Sequence, residues 1–459
     1  MCARLLLLGA AVLLLLACAY EFHSAPPGLL LPMGKIILGV GAVAGLALAF
    51  GAVRLSGRAA RSGAIELLGL YATLVIVEIT ITAIAPQLPS RRLERESVAH
   101  KLGMPFDDRL KSEVVKDLRA SGVDAYPGMS REWPRLPEVK KLANTDVYWL
   151  TQVAKARIVE CNENGRFMTY DTDELGFRNP TGLYDSGSIE IAAIGSSYTL
   201  GHCVPPQASF MERVRQSHPR TLNLGVAGSG ALTMLATLRE YVTPLHPPVV
   251  MWLMHPYIAD YSDEAQDPRL VAYLDPTHTQ HLLDHRAELD RMLRTVSITA
   301  QSEMDAHERK TIHDFDSHRW RRWPWLPELR AKIGLEGLMF AEPPGSRSGD
   351  FAALMREAQA EVHAWGGKFI VVLLPTYPEV VAHQLPPPLA HDRLDALFTG
   401  LHIQVADCIE PFMEQADPAS LYTMRINNHP DAAGHALLAT CVLNALSARP
   451  RGQLSVHNR

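Results

Sequence analysis

The chain has 459 residues, 47% of them hydrophobic, and a formal net charge of −5. At roughly 150 residues per domain this length predicts more than one structural unit, and the acidic balance argues against nucleic acid or an anionic surface as the main partner. Six cysteines in a chain this long exclude a small disulfide-stabilised scaffold. The hydrophobic residues are concentrated at the N-terminal end, which indicates two different kinds of segment.

Residues 1–90 predict a membrane module. Three apolar runs follow one another at Leu5–Tyr20, Ile36–Val53 and Leu67–Ala85, and only Glu78 interrupts the third. Runs of this kind approach the length of a spanning helix at about 1.5 Å per residue. The first run also has the short apolar form of a signal peptide behind Arg4. We therefore expect two or three transmembrane helices and prefer three. For Glu78 we favour a residue packed against a neighbouring helix over a functional group.

Arginines on either side of the third run bear on the orientation. Three of them lie between positions 54 and 61, before that run, which places this loop in the cytoplasm and the following domain on the far side. Three more, between positions 91 and 95, favour the opposite orientation. We expect a bacterial inner-membrane protein whose soluble part is extracytoplasmic, in contact with the lipid bilayer.

The soluble part begins with a polar lead-in at 91–185, followed by one large domain at 186–450. In that domain short apolar runs bounded by Gly, Pro or polar residues predict buried strands. They alternate with helix-length stretches, which favours a parallel sheet covered on both faces. A charged region near 275–345 interrupts this order and is interpreted as an insertion. The predicted strands are 189–194, 222–225, 249–254, 369–374 and 403–406, and the predicted helices are 208–216, 231–241, 351–365 and 432–446.

The soluble part carries four cysteines, Cys161, Cys203, Cys408 and Cys441. An even number permits two disulfides in an oxidising compartment, but we favour free buried thiols. Their spacing matches no zinc pattern, and neither a metal nor a cofactor is expected.

Three blocks carry candidate chemistry. The first predicted strand runs into a tight turn, Gly195–Gly201 (GSSYTLG), which can present a serine at the carboxyl edge of the sheet, where ligands bind in open α/β folds. The turn at Asn223–Gly230 contains Gly228, whose backbone N–H can approach a substrate oxygen. His429 precedes the last predicted helix and can serve as the base for a serine. Each block also has a plain structural interpretation, as a helix cap or a tight turn.

Together these blocks resemble the SGNH (GDSL-type) hydrolases. Gly195–Gly201 is similar to their GDSxTxG block, and Glu174–Pro180 (ELGFRNP) resembles a stretch that precedes it in membrane-anchored bacterial members. The resemblance covers roughly residues 160–447 and implies a flavodoxin-like three-layer α/β/α sandwich. It further implies Ser197 as nucleophile, His429 as base, and an oxyanion hole formed by the backbone N–H groups of Ser197 and Gly228.

The chain departs from the family at the oxyanion hole. Ser196 replaces the family's Asp, and the third block, 255–260, has no Asn to complete the oxyanion hole. Loss of one oxyanion donor costs about 10²–10³ in rate. His255 and Tyr257 are possible replacements for that donor.

A second departure concerns the triad acid. Asn427 stands where the family has an Asp before the histidine. We expect Asn427 to orient the imidazole, which an amide can do without stabilising its charge. Two carboxylates could compensate, Asp260 and Asp431, although Asp431 is more simply interpreted as the cap of the last helix.

Two functions follow from these features. The first is a membrane-anchored serine ester hydrolase or acyl transferase, for which the family implies an O-acyl group of an envelope glycan or lipid as substrate. The alternative is a catalytically degenerate SGNH-like domain that binds glycan or partners in envelope polysaccharide assembly.

Overall fold

The structure is a computed structural model. It describes residues 2–24, 32–84, 88–143, 146–185, 187–322, 326–332, 350–381 and 391–447. These residues fall into two compact units, one within 1–91 and 309–347 and the other within 92–308 and 348–459. Parts of the expected insertion, 323–325 and 333–349, lie outside the described residues.

The first unit contains three helices long and apolar enough to cross a membrane, judged by length and composition. That all three cross it stays a prediction. Helices α1 and α2 pack closely because α2 carries glycines, and a Cβ on Gly45 would lie 2.8 Å from Leu15 Cγ. Glu78 of α3 is fully buried, and it accepts a hydrogen bond of 2.8 Å from the backbone N–H of Leu329 in α12. The helices of this unit are α1 (Cys2–Ser24), α2 (Pro32–Arg54), α3 (Gly57–Ile84) and α12 (Pro327–Lys332).

The second unit is built on a five-stranded sheet in which every neighbouring pair of strands is parallel. The strand order β5-β4-β6-β7-β8 is the flavodoxin-like order 2-1-3-4-5. All five residues of β4 are buried, so both faces of the sheet are covered and the three-layer α/β/α prediction is confirmed. The strands are β4 (Ile191–Gly195), β5 (Thr221–Gly225), β6 (Val249–Met254), β7 (Lys368–Leu373) and β8 (Gln404–Asp407).

Helices fill the connections between these strands, as the alternating sequence pattern predicts. The longest is α11, with 37 residues, within the charged region expected as an insertion; the boundary between the two units falls inside it. The helices of this part are α7 (Ser197–Leu200), α8 (Phe210–Ser217), α9 (Ala231–Thr237), α10 (Pro268–Val271), α11 (Arg286–Arg322), α13 (Phe351–Ala364), α14 (Tyr377–Val380), α15 (His391–Gly400), α16 (Glu410–Met413) and α17 (Ala432–Ser447).

The lead-in has structure of its own. It forms a small sheet in which β1 pairs parallel and β3 antiparallel with β2. Its side chains share one hydrophobic core with the large sheet, so that Tyr148 and Trp252 belong to the same buried cluster. The elements are α4 (Arg91–Lys101), α5 (Lys111–Ala120), β1 (Ala125–Pro127), α6 (Pro137–Ala143), β2 (Arg157–Val159) and β3 (Thr169–Asp171).

All four cysteines of the soluble part are paired, so the expectation of free thiols was wrong. Cys161 is bonded to Cys203 and Cys408 to Cys441, with Cα–Cα distances of 5.6 and 5.8 Å. The first bridge ties the lead-in to the loop after α7, and the second ties the end of β8 to the last helix. The pairing depends on the tertiary fold, because the partners are 42 and 33 residues apart.

Candidate active site

Ser197 stands at the carboxyl end of the central strand β4. The strand ends at Gly195, Ser196 has extended backbone angles, and α7 begins at Ser197. This turn requires glycine at its start, since a Cβ on Gly195 would lie 2.0 Å from Thr199 Oγ1. Ser196 is buried, whereas Ser197 is partly exposed. The second serine of the pair is thus the one presented at the sheet edge.

His429 contacts the Ser197 side chain directly. The Ser197 hydroxyl lies 2.8 Å from His429 Nε2, within the range for proton transfer from a nucleophile to its base. The backbone of the histidine is fixed as well, because its carbonyl accepts hydrogen bonds from Thr423 N at 3.1 Å and Thr423 Oγ1 at 3.0 Å. The structure therefore brings together the two residues that the sequence blocks single out.

The other ring nitrogen of His429 faces a carboxylate that sequence analysis missed. His429 Nδ1 lies 2.9 Å from Glu163 Oε2, and the same oxygen accepts the backbone N–H of His429 at 3.0 Å. The second oxygen, Oε1, is 2.7 Å from Arg95 Nη2. Ser197, His429 and Glu163 thus form a continuous chain of hydrogen bonds in the order of a serine triad.

The surroundings of Glu163 and His429 favour an ionised carboxylate and a neutral imidazole at neutral pH. Burial would raise the pKa of Glu163, but the charge and hydrogen bonds of His429, with His202 and Arg95, hold it well below its usual range. Glu163 is therefore a carboxylate. Burial lowers the pKa of His429 below its ordinary value of 6.5, although Glu163 opposes the shift. His429 is consequently neutral at neutral pH, as a general base must be.

The expectation that Asn427 orients the imidazole is corrected. Asn427 is exposed, and the Nδ1 atom that it was expected to contact is bonded to Glu163. Asp431 Oδ1 accepts the backbone N–H groups of Ala433 at 2.8 Å and Gly434 at 3.0 Å. It caps the last helix, which was the simpler interpretation.

Neither of the other proposed carboxylates supplies the triad acid. Asp260 Oδ1 accepts the N–H of Ser262 at 3.0 Å, which ties the side chain to its own turn. The physical reason is the same as for Asp431: a short Asp side chain is satisfied by backbone N–H groups two or three residues ahead. The carboxylate bonded to the His429 ring lies instead in the lead-in, at Glu163.

Gly228, which with Ser197 is predicted to form an oxyanion hole, lies in the turn after β5. Gly228 has φ +75°, a backbone conformation that favours glycine. A Cβ there would lie 2.1 Å from Ser130 Oγ. No described residue accepts a hydrogen bond from the Gly228 N–H, so this donor is available to a substrate oxygen. The role of the Gly228 and Ser197 N–H groups in binding an oxyanion stays a prediction.

His255 directly follows β6, at the same edge of the sheet as Ser197. Parallel pairing sets Gly195 opposite Leu253, so Ser197 and His255 each lie two residues beyond a matched pair. The His255 ring is 6.2 Å from that of Tyr198 and 5.9 Å from that of Tyr257. Burial lowers the pKa of His255 to about 4, so it is neutral at pH 7. A neutral imidazole can donate one hydrogen bond, and its part in the site, like that of Tyr257, stays a prediction.

A second histidine lies beside the triad. The His202 ring is 4.4 Å from the His429 ring, and its Nδ1 is 3.1 Å from the buried Glu160. Ligand atoms of Glu163, His202, Cys203 and His429 lie within 4.8 Å of one another. This set does not offer a zinc-like site, because Cys203 is in a disulfide and Glu163 is bonded to His429.

One signal in the sequence could have led to Glu163. It stands two residues after Cys161, whose disulfide partner Cys203 follows Ser197 by six residues. A correct pairing of these cysteines would have placed the Glu163 segment beside the nucleophile. The lead-in has no strand or helix periodicity around Glu163, so without that pairing its sequence indicates only a connection.

No family model and no curated protein matches the chain. It is similar to the solved structure of a putative lipolytic protein of the G-D-S-L family from Desulfitobacterium hafniense DCB-2, with 12% identity over 56% of this chain and 99% of that chain and a TM-score of 0.32. A member of the lipolytic protein G-D-S-L family from Veillonella parvula DSM 2008 is similar with 14% identity over 57% of this chain and 100% of that chain and a TM-score of 0.32. A catalytic mutant of an acetylxylan esterase from Geobacillus stearothermophilus is similar with 14% identity over 57% of this chain and 96% of that chain and a TM-score of 0.30. At TM-scores this low the alignments carry no weight for the activity of this chain. By its own strand order the second unit has a flavodoxin-like parallel sheet, and Ser197 and His429 are in contact at its carboxyl edge.

Proposed function

We propose that this protein is a membrane-anchored serine ester hydrolase or acyl transferase. The observation that supports it best is the hydrogen-bonded chain from Ser197 through His429 to Glu163, with links of 2.8 and 2.9 Å. Glu163 supplies the carboxylate that this chain lacks at position 427, where the family has an Asp and this chain has Asn427. A binding domain has no need of a buried carboxylate aimed at the histidine that contacts a serine.

The proposed reaction begins as the Ser197 hydroxyl passes its proton to His429 Nε2 and its oxygen attacks the acyl carbonyl. The carbonyl oxygen becomes an oxyanion, which the N–H groups of Ser197 and Gly228 bind. Glu163 stabilises the imidazolium through Nδ1. The ester C–O bond then breaks, His429 returns the proton to the leaving alcohol, and the acyl group remains on Ser197.

The second half repeats these steps with a new nucleophile. His429 removes a proton from water, in a hydrolase, or from an acceptor hydroxyl, in a transferase. The nucleophile attacks the acyl carbon, the bond to Ser197 Oγ breaks, and the serine recovers its proton from His429. Both outcomes need the same side chains, so hydrolysis and transfer differ only in which hydroxyl reaches the acyl-enzyme.

For the substrate we propose an O-acyl group of an envelope glycan or lipid on the extracytoplasmic side. Two disulfides in the soluble unit favour an oxidising compartment. The arginines between the second and third apolar helices favour the same orientation. Arg92 and Arg95 are two of the three arginines that favour the opposite orientation. They are ion-paired with Glu308 and Glu163, so contacts within the second unit account for these two charges.

The test is labelling of the purified full-length protein, in detergent, with a serine-directed fluorophosphonate. We expect labelling of Ser197, located by peptide mass spectrometry, and its loss in Ser197→Ala. Ser196→Ala is the matched control, because it removes the adjacent but buried hydroxyl and should leave labelling in place. A folded wild-type protein that gives no Ser197-dependent labelling would support the non-catalytic binding domain instead.

A further inference from the structure

Helix α4 is the first described helix after the membrane helices in the sequence, and it contributes a side chain to the proposed site. Arg95 Nη2 lies 2.7 Å from Glu163 Oε1, and Arg95 Nε lies 3.3 Å from Asn428 Oδ1. One guanidinium therefore contacts both the carboxylate and the residue that precedes His429. The Glu163 side chain is 4% exposed and that of Arg95 19% exposed, so the pair is shielded from water.

A buried carboxylate in this position needs a second partner. Glu163 has two oxygens, and only Oε2 is used by the histidine, through its ring and its backbone N–H. Without Arg95, Oε1 would be a buried charged acceptor with no donor among the described residues, which is costly. The fork of Arg95 also fixes the rotation of the carboxylate, because a guanidinium bonds in its own plane.

We propose that Arg95 is a positioning residue for the triad: it holds Glu163 against His429 and makes the helix that follows the membrane segments an integral part of the active site. This proposal rests on the proposed ester chemistry and extends it. It predicts that a soluble fragment beginning after Lys101 lacks a complete site, although it would keep Ser197, His429 and Glu163.

Arg95 also acts on His429 through its charge. A positive charge nearby disfavours the imidazolium and so lowers the pKa of His429, in the same direction as burial and His202 and against Glu163. Removal of the charge should therefore make His429 easier to protonate. Ionisable groups from several elements face His429. They are Glu163 between β2 and β3, His202 after α7, Tyr198 in α7, Arg95 in α4, His255 after β6 and His435 in α17.

The chain offers a matched control on the same helix. Arg92 lies 3.3 Å from Glu308 and bonds to the carbonyl of Asp108, so it contributes an ion pair to the same unit away from the triad. We compare Arg95→Met with Arg92→Met, since both lose the charge and keep an unbranched stem. Arg95→Gln is the alternative if Arg95→Met does not fold, and Arg95→Lys restores the charge without the planar fork.

Two measurements on the full-length protein in detergent test the proposal. The first is the second-order rate constant for fluorophosphonate labelling of Ser197. The second, which needs no turnover, is the pH midpoint for modification of His429 by diethyl pyrocarbonate, which reacts with neutral imidazole and is followed by peptide mass spectrometry.

In Arg95→Met or Arg95→Gln we expect the labelling rate to fall by about 10- to 100-fold, because small misplacement of a catalytic group has effects of this size. The His429 midpoint should rise by about 0.5 pH unit or more where Glu163 stays bonded to Nδ1, because a nearby positive charge is lost, and should fall where Glu163 leaves Nδ1, because Glu163 raises the His429 pKa. Arg95→Lys should keep the midpoint near that of wild type and recover part of the rate, and Arg92→Met should match wild type in both.

The proposal is overturned if a folded Arg95→Met or Arg95→Gln matches Arg92→Met in both the rate and the midpoint. A purely structural role would lower the thermal midpoint of unfolding and leave the His429 midpoint unchanged, which also counts against the proposal. If wild type itself is not labelled at Ser197, the proposed function fails, while the His429 midpoint still decides whether Arg95 sets the electrostatics of the triad.

Discussion

Replacement of Glu163 by Gln is the sharpest test of the triad, because the structure dictates what the amide must do. Oε2 of Glu163 accepts two N–H groups of His429, and Oε1 accepts Arg95. A Gln has one acceptor oxygen and one NH₂ group, so it cannot satisfy both neighbours. If its oxygen turns to Arg95, the NH₂ group donates to Nδ1 and the ring proton moves to Nε2. The imidazole then presents an N–H to Ser197 and cannot act as its base.

The expected magnitude follows from this wrong tautomer. The equivalent acid-to-amide change in a serine protease lowers kcat by about 10⁴, which corresponds to about 5.4 kcal/mol at 1.36 kcal/mol per factor of ten. We expect Glu163→Gln to lower the rate of fluorophosphonate labelling, and of hydrolysis of a 4-nitrophenyl ester, by about 10³–10⁴. Because Glu163 raises the pKa of His429, the acidic limb of any residual activity should move to lower pH.

Asn427→Asp provides the matched comparison. It restores the family pattern, and on sequence grounds alone it should accelerate the reaction about tenfold or more. Since Nδ1 is already bonded to Glu163 and Asn427 is exposed, we expect no such gain on the natural background and no rescue of Glu163→Gln. The triad assignment is refuted if folded Glu163→Gln stays within about threefold of wild type, or if Asn427→Asp accelerates the reaction as the family pattern predicts.

Three further predictions concern pH, backbone and topology. The rate of labelling should be constant near neutrality and fall, with loss of the neutral base, as pH drops through a midpoint below 6.5, because burial lowers the pKa of His429 from that value; a midpoint clearly above 6.5 contradicts it. Gly228 has φ +75°, and a Cβ at this position would lie 2.1 Å from Ser130 Oγ. Gly228→Ala should therefore destabilise the protein by about 1–2 kcal/mol, measured by thermal unfolding, and should slow labelling in the fluorophosphonate assay. Alkaline phosphatase fused after residue 459 should be active in a bacterial host, whereas an inactive fusion together with an active cytoplasmic reporter at the same point would reverse the orientation.

Sequence pattern alone determined the strands of the large sheet and their order along the chain. Apolar runs bounded by Gly and Pro predicted all five strands, and the observed β6, Val249–Met254, has the predicted ends. These signals are local, because a strand buried on both faces must be apolar throughout its length. Once the strands are parallel, their carboxyl ends share one edge. This is why the sequence predicts that Ser197 and His429 lie close together, although they are 232 residues apart.

The triad acid and the disulfides were decided only by the tertiary structure. Glu163 is 266 residues from His429 and stands in a polar segment without strand or helix periodicity, so nothing local marks it as a partner. The carboxylate nearest the histidine in the sequence, Asp431, caps its own helix instead. Pairing of Cys161 with Cys203 was hidden for the same reason. A pattern in sequence records which face of an element is buried, whereas a buried ion pair or a disulfide depends on which segments the folded core brings into contact.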